Sequence, residues 1–229
     1  MSDDNYIIKP EQSVYDSFNT FIFSKDCLVF NKLIKKTEIY SMVKPLVGDI
    51  VEFGVFKGSG LALWMKLKNL YEPHSLMRII GFDYFDTQNL LNDLNGDNKE
   101  IMSYVVDRVD KNELKFESVD KRLSNINDKN YILIKGEAVE QCSNYYNKNQ
   151  GARIKLLYMD LDLGEPTYEI LKILWDKIVK NGIIVFDEYG YHRFDESNGV
   201  DKFLLEVKDQ YEVFNTFVNA PSMYIKKIY

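Results

Sequence analysis

Ile50-Val51-Glu52-Phe53-Gly54-Val55-Phe56-Lys57-Gly58-Ser59-Gly60 is an apolar run that passes through three spaced glycines into a helical pattern from Leu61 onward. Glycines at these positions permit a tight turn and let the backbone approach a ligand where a Cβ would clash. The helix after such a turn aims its free N–H groups at that ligand. The spacing is G-x-x-x-G-x-G rather than the G-x-G-x-x-G of dinucleotide folds, and no Lys-Ser/Thr pair follows as a P-loop requires. The stretch predicts a strand, a turn and a helix built around a nucleotide-like ligand other than a dinucleotide.

After the turn, Leu61, Trp64, Leu67 and Tyr71 give the helix a buried stripe. Met77 to Phe82 reads as a second strand, and Asp83 at its end lies about twenty residues past the turn, where an acid can accept hydrogen bonds from a ribose diol. Asp86 is the near alternative, and capping of the loop is the plainer role for either acid. Ahead of the turn, residues 11–45 read as one or two amphipathic helices closed by Pro45 and Gly48. The expected division is an N-terminal helical extension over 1–47 and a main domain over 48–229, within one domain overall.

Residues 86–130 are polar, and the Asn/Asp/Gly cluster from Asn89 to Asn98 predicts an exposed loop that can form part of a lid over a substrate. A helical pattern (Ile101, Tyr104, Val105, Val109) follows it. Tyr131 to Gly136 predicts a third strand, followed by a helix to about Tyr146, and the near-continuous apolar run Ile154 to Met159 predicts a buried fourth strand. A helix over 166–180, burying Ile170, Leu171, Leu174, Trp175 and Ile178, is read as stopping at Asn181-Gly182. A further helix around 199–207 and closing strands over 211–217 and 223–229 complete the chain.

Two acidic pairs end apolar strands, Asp160 with Asp162 and Asp187 with Glu188. One helix lies between them, so a right-handed crossover brings both pairs to one edge of a parallel sheet, where open α/β folds bind ligands. Carboxylates gathered there raise one another's pKa unless a cation or a proton neutralises them. Oxygen ligands favour a hard ion such as magnesium, calcium or manganese, and no His-rich or thiolate set points to zinc. Taken singly, each acid could equally be a solvated cap on a strand end. His192 is a further candidate base. Tyr189, Tyr191, Arg193 and Phe194 can line a polar, ring-shaped substrate.

From Glu52 to Gly60 the chain resembles motif I of the class I S-adenosylmethionine-dependent methyltransferases. Gly81-Phe82-Asp83-Tyr84-Phe85, Tyr158-Met159-Asp160-Leu161-Asp162 and Val185-Phe186-Asp187-Glu188-Tyr189 then follow in the order and spacing of the macrocin O-methyltransferase (TylF-like) family, over roughly residues 40–220. The resemblance implies an α/β, Rossmann-like class I methyltransferase fold: a seven-stranded, mostly parallel sheet with helices on both faces and an antiparallel C-terminal hairpin. It implies S-adenosyl-L-methionine as cofactor, bound by Glu52, Phe53, Gly54, Lys57, Gly58, Ser59, Gly60, Asp83, Tyr84 and Asp160, with Gly136, Glu137 and Ala138 beside the adenine. It also implies Mg2+ or another hard divalent cation on Asp160, Asp187 and Glu188, the last standing where the family has Asp. Asp162 matches the family's general base, and the implied reaction is methyl transfer to a sugar hydroxyl. In such enzymes, helices before the turn lie over the cofactor or form a dimer contact, and a homodimer is expected on that ground.

The composition fits this picture. With 229 residues, 45% of them hydrophobic and 14% aromatic, a sizeable core is available and long disorder is not expected. A net charge of −6 from 29 basic and 35 acidic residues argues against a nucleic-acid partner. Cys27 and Cys142 show no CxxC spacing and read as buried free thiols. The acidic Met1-Ser2-Asp3-Asp4 start and the lack of a long apolar run point to a cytoplasmic location and no membrane partner. Competing readings are methyl transfer to an amine, a phosphate-type oxygen or a catechol-like diol, a non-catalytic nucleotide-binding protein, and an NAD-dependent oxidoreductase, which the glycine spacing disfavours.

Overall fold

A computed structural model of the chain describes residues 11–126 and 130–229. The first ten residues of the expected 1–47 extension lie outside the described residues, as do residues 127–129 of the polar segment. Seven strands are described: β1 (Asp49–Phe53), β2 (Ile79–Asp83), β3 (Tyr131–Lys135), β4 (Ile154–Met159), β5 (Ile178–Phe186), β6 (Tyr211–Asn215) and β7 (Met223–Lys227). They form one sheet in the order β3-β2-β1-β4-β5-β7-β6. From β3 to β5 all neighbours run parallel, and β7 runs antiparallel to both β5 and β6. The expected mostly parallel sheet with a C-terminal hairpin is present.

The described helices are α1 (Gln12–Ile22), α2 (Leu28–Val43), α3 (Ser59–Tyr71), α4 (Thr87–Asp93), α5 (Gly96–Val106), α6 (Phe116–Ser124), α7 (Ala138–Lys148), α8 (Gly164–Leu174) and α9 (Glu196–Glu206). Every residue of β1 and β4 is buried, which is why these strands read as continuous apolar runs. Their side chains alternate between two cores. Val51, Phe53, Leu157 and Met159 meet α7, α8 and α9 through residues such as Cys142, Leu171 and Phe203. On the other face Ile50, Leu156 and Tyr158 meet α2 and α3 through Tyr40, Leu61 and Trp64. A large apolar side chain stabilises by about 1.5–3 kcal/mol when fully buried. The two cores therefore carry the fold and leave the carboxyl edge of the sheet free to hold charges that oppose it.

Several expectations are corrected. The Asn/Asp/Gly cluster folds into α4 and the start of α5 instead of a loop, because Asp86 caps α4 by accepting from Asn89 N at 3.1 Å, and acids and amides start short helices as readily as they make turns. The helix read over 166–180 ends at Leu174, a 3₁₀ turn covers Trp175–Lys177, and Ile178 already opens β5. Asn181, at φ +65°, and Gly182 form a bulge inside β5 where its register with β4 shifts, so the pair marks a bulge and not a helix stop. Tyr71 is half exposed at the end of α3, and Cys27 is exposed while Cys142 is buried. The N-terminal helices behave differently from each other: α2 packs Ile39, Tyr40 and Val43 into the core, whereas α1 buries no residue. Among the described residues no helix is long and apolar enough to cross a membrane.

Candidate active site

The sheet order reverses direction between β1 and β4, and a crevice opens at the carboxyl ends of these strands. Backbone hydrogen bonds run one residue past the strands: Gly54 N donates to Phe82 O, Asp160 N to Phe53 O and Asp187 N to Met159 O, each at 3.0 Å. This continued ladder sets the residues at the tips side by side. Gly54 has φ +86°, and a Cβ there would sit 1.8 Å from the Asp160 carbonyl oxygen. Only glycine lets the two strand ends leave the sheet so close together. A cavity of about 440 Å³ lies over the crevice. Gly54, Phe56, Asp83 and Tyr84 line one side, Asp160, Asp162, Asp187 and Glu188 line another, and α4 and α5 cover it with Leu90, Leu94, Met102 and Val105.

Of the residues expected to hold a cofactor, Gly54, Asp83, Tyr84, Glu137, Ala138 and Asp160 line this cavity. Asp83 accepts from Phe56 N at 2.8 Å and from Phe85 N at 3.0 Å, tying the glycine turn to the end of β2. Its burial raises the carboxyl pKa against the pull of these N–H groups. Glu137 caps α7 through Val139 N and Glu140 N, at 3.0 and 2.7 Å.

Glu52, Phe53, Lys57, Gly58, Ser59, Gly60 and Gly136, also expected to hold the cofactor, do not line this cavity. Phe53 stacks on Phe82 in the core with ring centroids 4.5 Å apart. Glu52 faces the opposite side of the sheet, accepts from Trp64 Nε1 at 2.5 Å and lies 3.5 Å from Lys36 Nζ. A Cβ on Gly60 would fall 2.1 Å from the Glu52 carboxylate, so these two residues brace the turn from behind. The Lys57 ammonium pairs with Glu113, and its carbonyl accepts from Arg122 at 3.1 Å. Gly58, at φ +89°, packs against Val119, Ser59 opens α3, and Gly136 packs against Gln141. Phe56, which the sequence did not single out, lines the cavity. Phe56, Phe85 and Asp162 all hold positive φ, at 52°, 50° and 62°, and all three border this space. Strained backbone of this kind gathers at functional sites.

The four acids come together as expected, but Asp162 arrives by a different route. β4 stops at Met159, and the left-handed backbone at Asp162, not a continued strand, turns this residue into the cavity. Burial first, then the charges of Asp160 and Glu188, pushes the Asp162 carboxyl up to about 8. Burial, then the charges of Asp187 and Asp160, push Glu188 up to about 7, and its Oε2 is buried without a hydrogen-bond partner. Two neighbours were not visible in the sequence. Glu196 at the start of α9 is fully buried and neither carboxyl oxygen has a hydrogen-bond partner; burial and the acids around it raise its pKa. Lys32 of α2 reaches the acids from the other end of the chain: its Nζ lies 2.7 Å from Asp187 Oδ2 and 3.2 Å from Asp160 Oδ2. The Tyr158 hydroxyl donates to the remaining Asp187 oxygen.

These bonds do not suit the expected Mg2+ site. A hard divalent ion needs free carboxylate oxygens at about 2.0–2.6 Å, yet both Asp187 oxygens and one Asp160 oxygen already face donors. Among the described residues no group of three or more His, Cys, Asp or Glu is placed to hold a metal ion. Of the expected metal set Asp160, Asp187 and Glu188, the first two instead hold the Lys32 ammonium between them. His192, the further candidate base, is exposed on the loop after Glu188, beside Tyr191 at 5.3 Å between ring centroids, and lines neither cavity. A second cavity, of about 840 Å³, begins at Glu188 and is lined by Tyr104, Arg108, Tyr189, Tyr191, Arg193 and Phe194.

No protein-family model and no curated protein matches the chain. Solved structures do: the apo form of CalS11, a TDP-rhamnose 3'-O-methyltransferase of calicheamicin biosynthesis, superposes with a TM-score of 0.67 at 25% identity, covering 96% of this chain and 88% of CalS11. The chain has the fold of the class I methyltransferases. The O-methyltransferase NovP gives a TM-score of 0.69 at 18% identity over 87% of this chain and 80% of NovP. TomG from Streptomyces achromogenes, an O-methyltransferase of tomaymycin synthesis solved with SAM, gives 0.58 at 12% identity over 94% and 96% of the two chains. At these identities NovP and TomG speak for the fold. His192→Ala is expected to leave initial rates within about a factor of two, the reach of an ordinary surface substitution. A collapse of turnover in that variant would restore His192 to the chemistry.

Proposed function

We propose that the chain methylates a hydroxyl of a sugar or a glycosylated small molecule, with S-adenosyl-L-methionine as donor. The observation that carries this reading is the half-buried Asp162 and Glu188, which both line the glycine-turn cavity, Glu188 lining the aromatic one as well. The likeness to a rhamnose O-methyltransferase supports a sugar as acceptor.

The first cavity falls within the range of about 300–1,000 Å³ usual for small-molecule sites. Gly54, Phe56, Asp83, Tyr84, Glu137 and Ala138 would hold the donor there. Asp83 keeps lone pairs beyond its two backbone bonds, enough to accept from ribose hydroxyls. S-Adenosylmethionine, when bound, supplies a sulfonium methyl group to the acceptor oxygen and leaves as the neutral thioether. An alcohol is a poor nucleophile at neutral pH and needs a base. Asp162, its carboxyl raised to about 8, takes the hydroxyl proton, and Glu188 stands where the two cavities meet. In the second cavity the Tyr189 and Tyr191 rings can stack on a sugar ring. Arg108, its guanidinium 4.2 Å from the Tyr104 ring centroid, and Arg193 can donate to oxygens of the acceptor.

Titration calorimetry decides the donor. Saturable heat with S-adenosylhomocysteine and none with NAD is the expected result, and the reverse outcome removes the proposal.

A further inference from the structure

Helix α2 sends two ammonium groups to the carboxyl edge of the sheet, one helical turn apart. Lys32 Nζ contacts Asp187 at 2.7 Å and Asp160 at 3.2 Å. Lys36, itself buried, lies 3.5 Å from the Glu52 carboxylate and 3.7 Å over the Tyr158 ring. The contact is not that of a loose surface side chain. Ile39, Tyr40 and Val43 anchor the later turns of the same helix in the core, so the helix axis and the reach of Lys32 are fixed by packing.

Gathered carboxylates need a neutralising cation. The Lys32 ammonium bridges Asp160 and Asp187 at hydrogen-bond distance from both. The Tyr158 hydroxyl completes Asp187. A dication set among these oxygens would have to expel the ammonium, since two cations cannot share oxygens a few ångströms apart in a half-buried site without strong repulsion.

We infer that Lys32 is the resident counter-cation of this site and stands in place of a divalent metal, so that the chain works without one. The inference concerns charge at the acid tips and rests on the proposed methyl-transfer reading only for its meaning in the reaction. No atoms are exchanged by Lys32: it holds Asp160 and Asp187 in place and offsets their charge beside Asp162.

The test measures Mn2+ binding by electron paramagnetic resonance and thermal unfolding with and without millimolar Mg2+, on the full chain and on Lys32→Ala, Lys32→Gln and Lys32→Arg. The wild-type chain should leave the free Mn2+ signal undiminished, and its melting temperature should not respond to Mg2+. Lys32→Ala should melt several degrees lower, regain that loss in Mg2+, and bind one equivalent of Mn2+ that disappears when Asp187→Asn is added. Lys32→Gln serves if the alanine variant does not fold, and Lys32→Arg should behave as the wild type. One equivalent of Mn2+ on the wild-type chain, lost with Asp187→Asn, would show Lys32 to be a latch that a metal displaces and would overturn the inference. Absence of Mn2+ binding in the alanine and glutamine variants would overturn it as well, since the ammonium would then not be what keeps a metal out. Neither readout needs donor or acceptor. Failure of S-adenosylhomocysteine to bind any variant would therefore count against the methyltransferase reading and leave the assignment of Lys32 standing.

Discussion

Asp162→Asn should lower methyl-transfer turnover by about 10²–10⁴-fold, the usual contribution of a positioned base, while leaving S-adenosylhomocysteine binding intact and making the protein more stable at neutral pH. Both effects have one origin. The fold holds the Asp162 carboxyl up at about 8 by burial and by the nearby Asp160 and Glu188, whereas an unfolded chain ionises it near an ordinary aspartate value of about 3.9. Stability tied to this group is therefore complete below about pH 4 and declines as pH rises towards 8, each tenfold step between the two acidities being about 1.4 kcal/mol. Asparagine carries no charge to desolvate and escapes that loss. Melting temperatures of the two proteins should coincide near pH 4 and separate by pH 8 in favour of the variant. Wild-type rates should rise with pH through about 8, because the base acts in its unprotonated form. An undiminished rate in Asp162→Asn would remove this residue as base.

Gly54→Ala should cost about 3 kcal/mol or more, or roughly 6–12 °C of melting temperature in a chain of this size, and abolish S-adenosylhomocysteine binding. A Cβ at residue 54 would sit 1.8 Å from the Asp160 carbonyl oxygen, and φ is +86°. The obstacle is backbone and cannot rotate aside, so the ends of β1 and β4 would have to part. Gly96 offers the comparison: φ is +56°, and a Cβ there would meet nothing within 4 Å. Its alanine variant suffers strain alone and should lose only about 1 kcal/mol. Equal losses at the two positions, read by thermal unfolding and calorimetry, would refute the role given to the crowded strand tips.

The sheet was legible because parallel strands buried on both faces must be apolar throughout, as β1 and β4 are. The glycine turn and the acidic tips were legible because the topology places the ends of β1, β4 and β5 on one edge. Directions of side chains were less so. Glu52 and Phe53 alternate across the sheet and neither faces the cavity, although both belong to the motif that announces it. The segment from Trp175 to Ile178 suits a helix and a strand equally, and the register shift opposite Ile154 decides for β5. Lys32 escaped notice for a simpler reason. It meets Asp160 and Asp187 across 128 and 155 residues of chain, and a lysine on an amphipathic helix gives no sign of which distant charge it will meet.

The division of the crevice at Glu188 has a consequence for how such a protein can change. The space beyond it is walled by Leu28 and Asn31 of α2, by α5 and Arg108, by residues 189–194 and by residues 218–222; apart from α2, none of these touches the glycine turn or the tips of β1 and β4. Exchanging those peripheral segments between relatives would redirect which molecule is modified without disturbing the donor end. On the proposed reading, selectivity would reside in grafts on the rim, and the acceptor could change while the donor end stays the same.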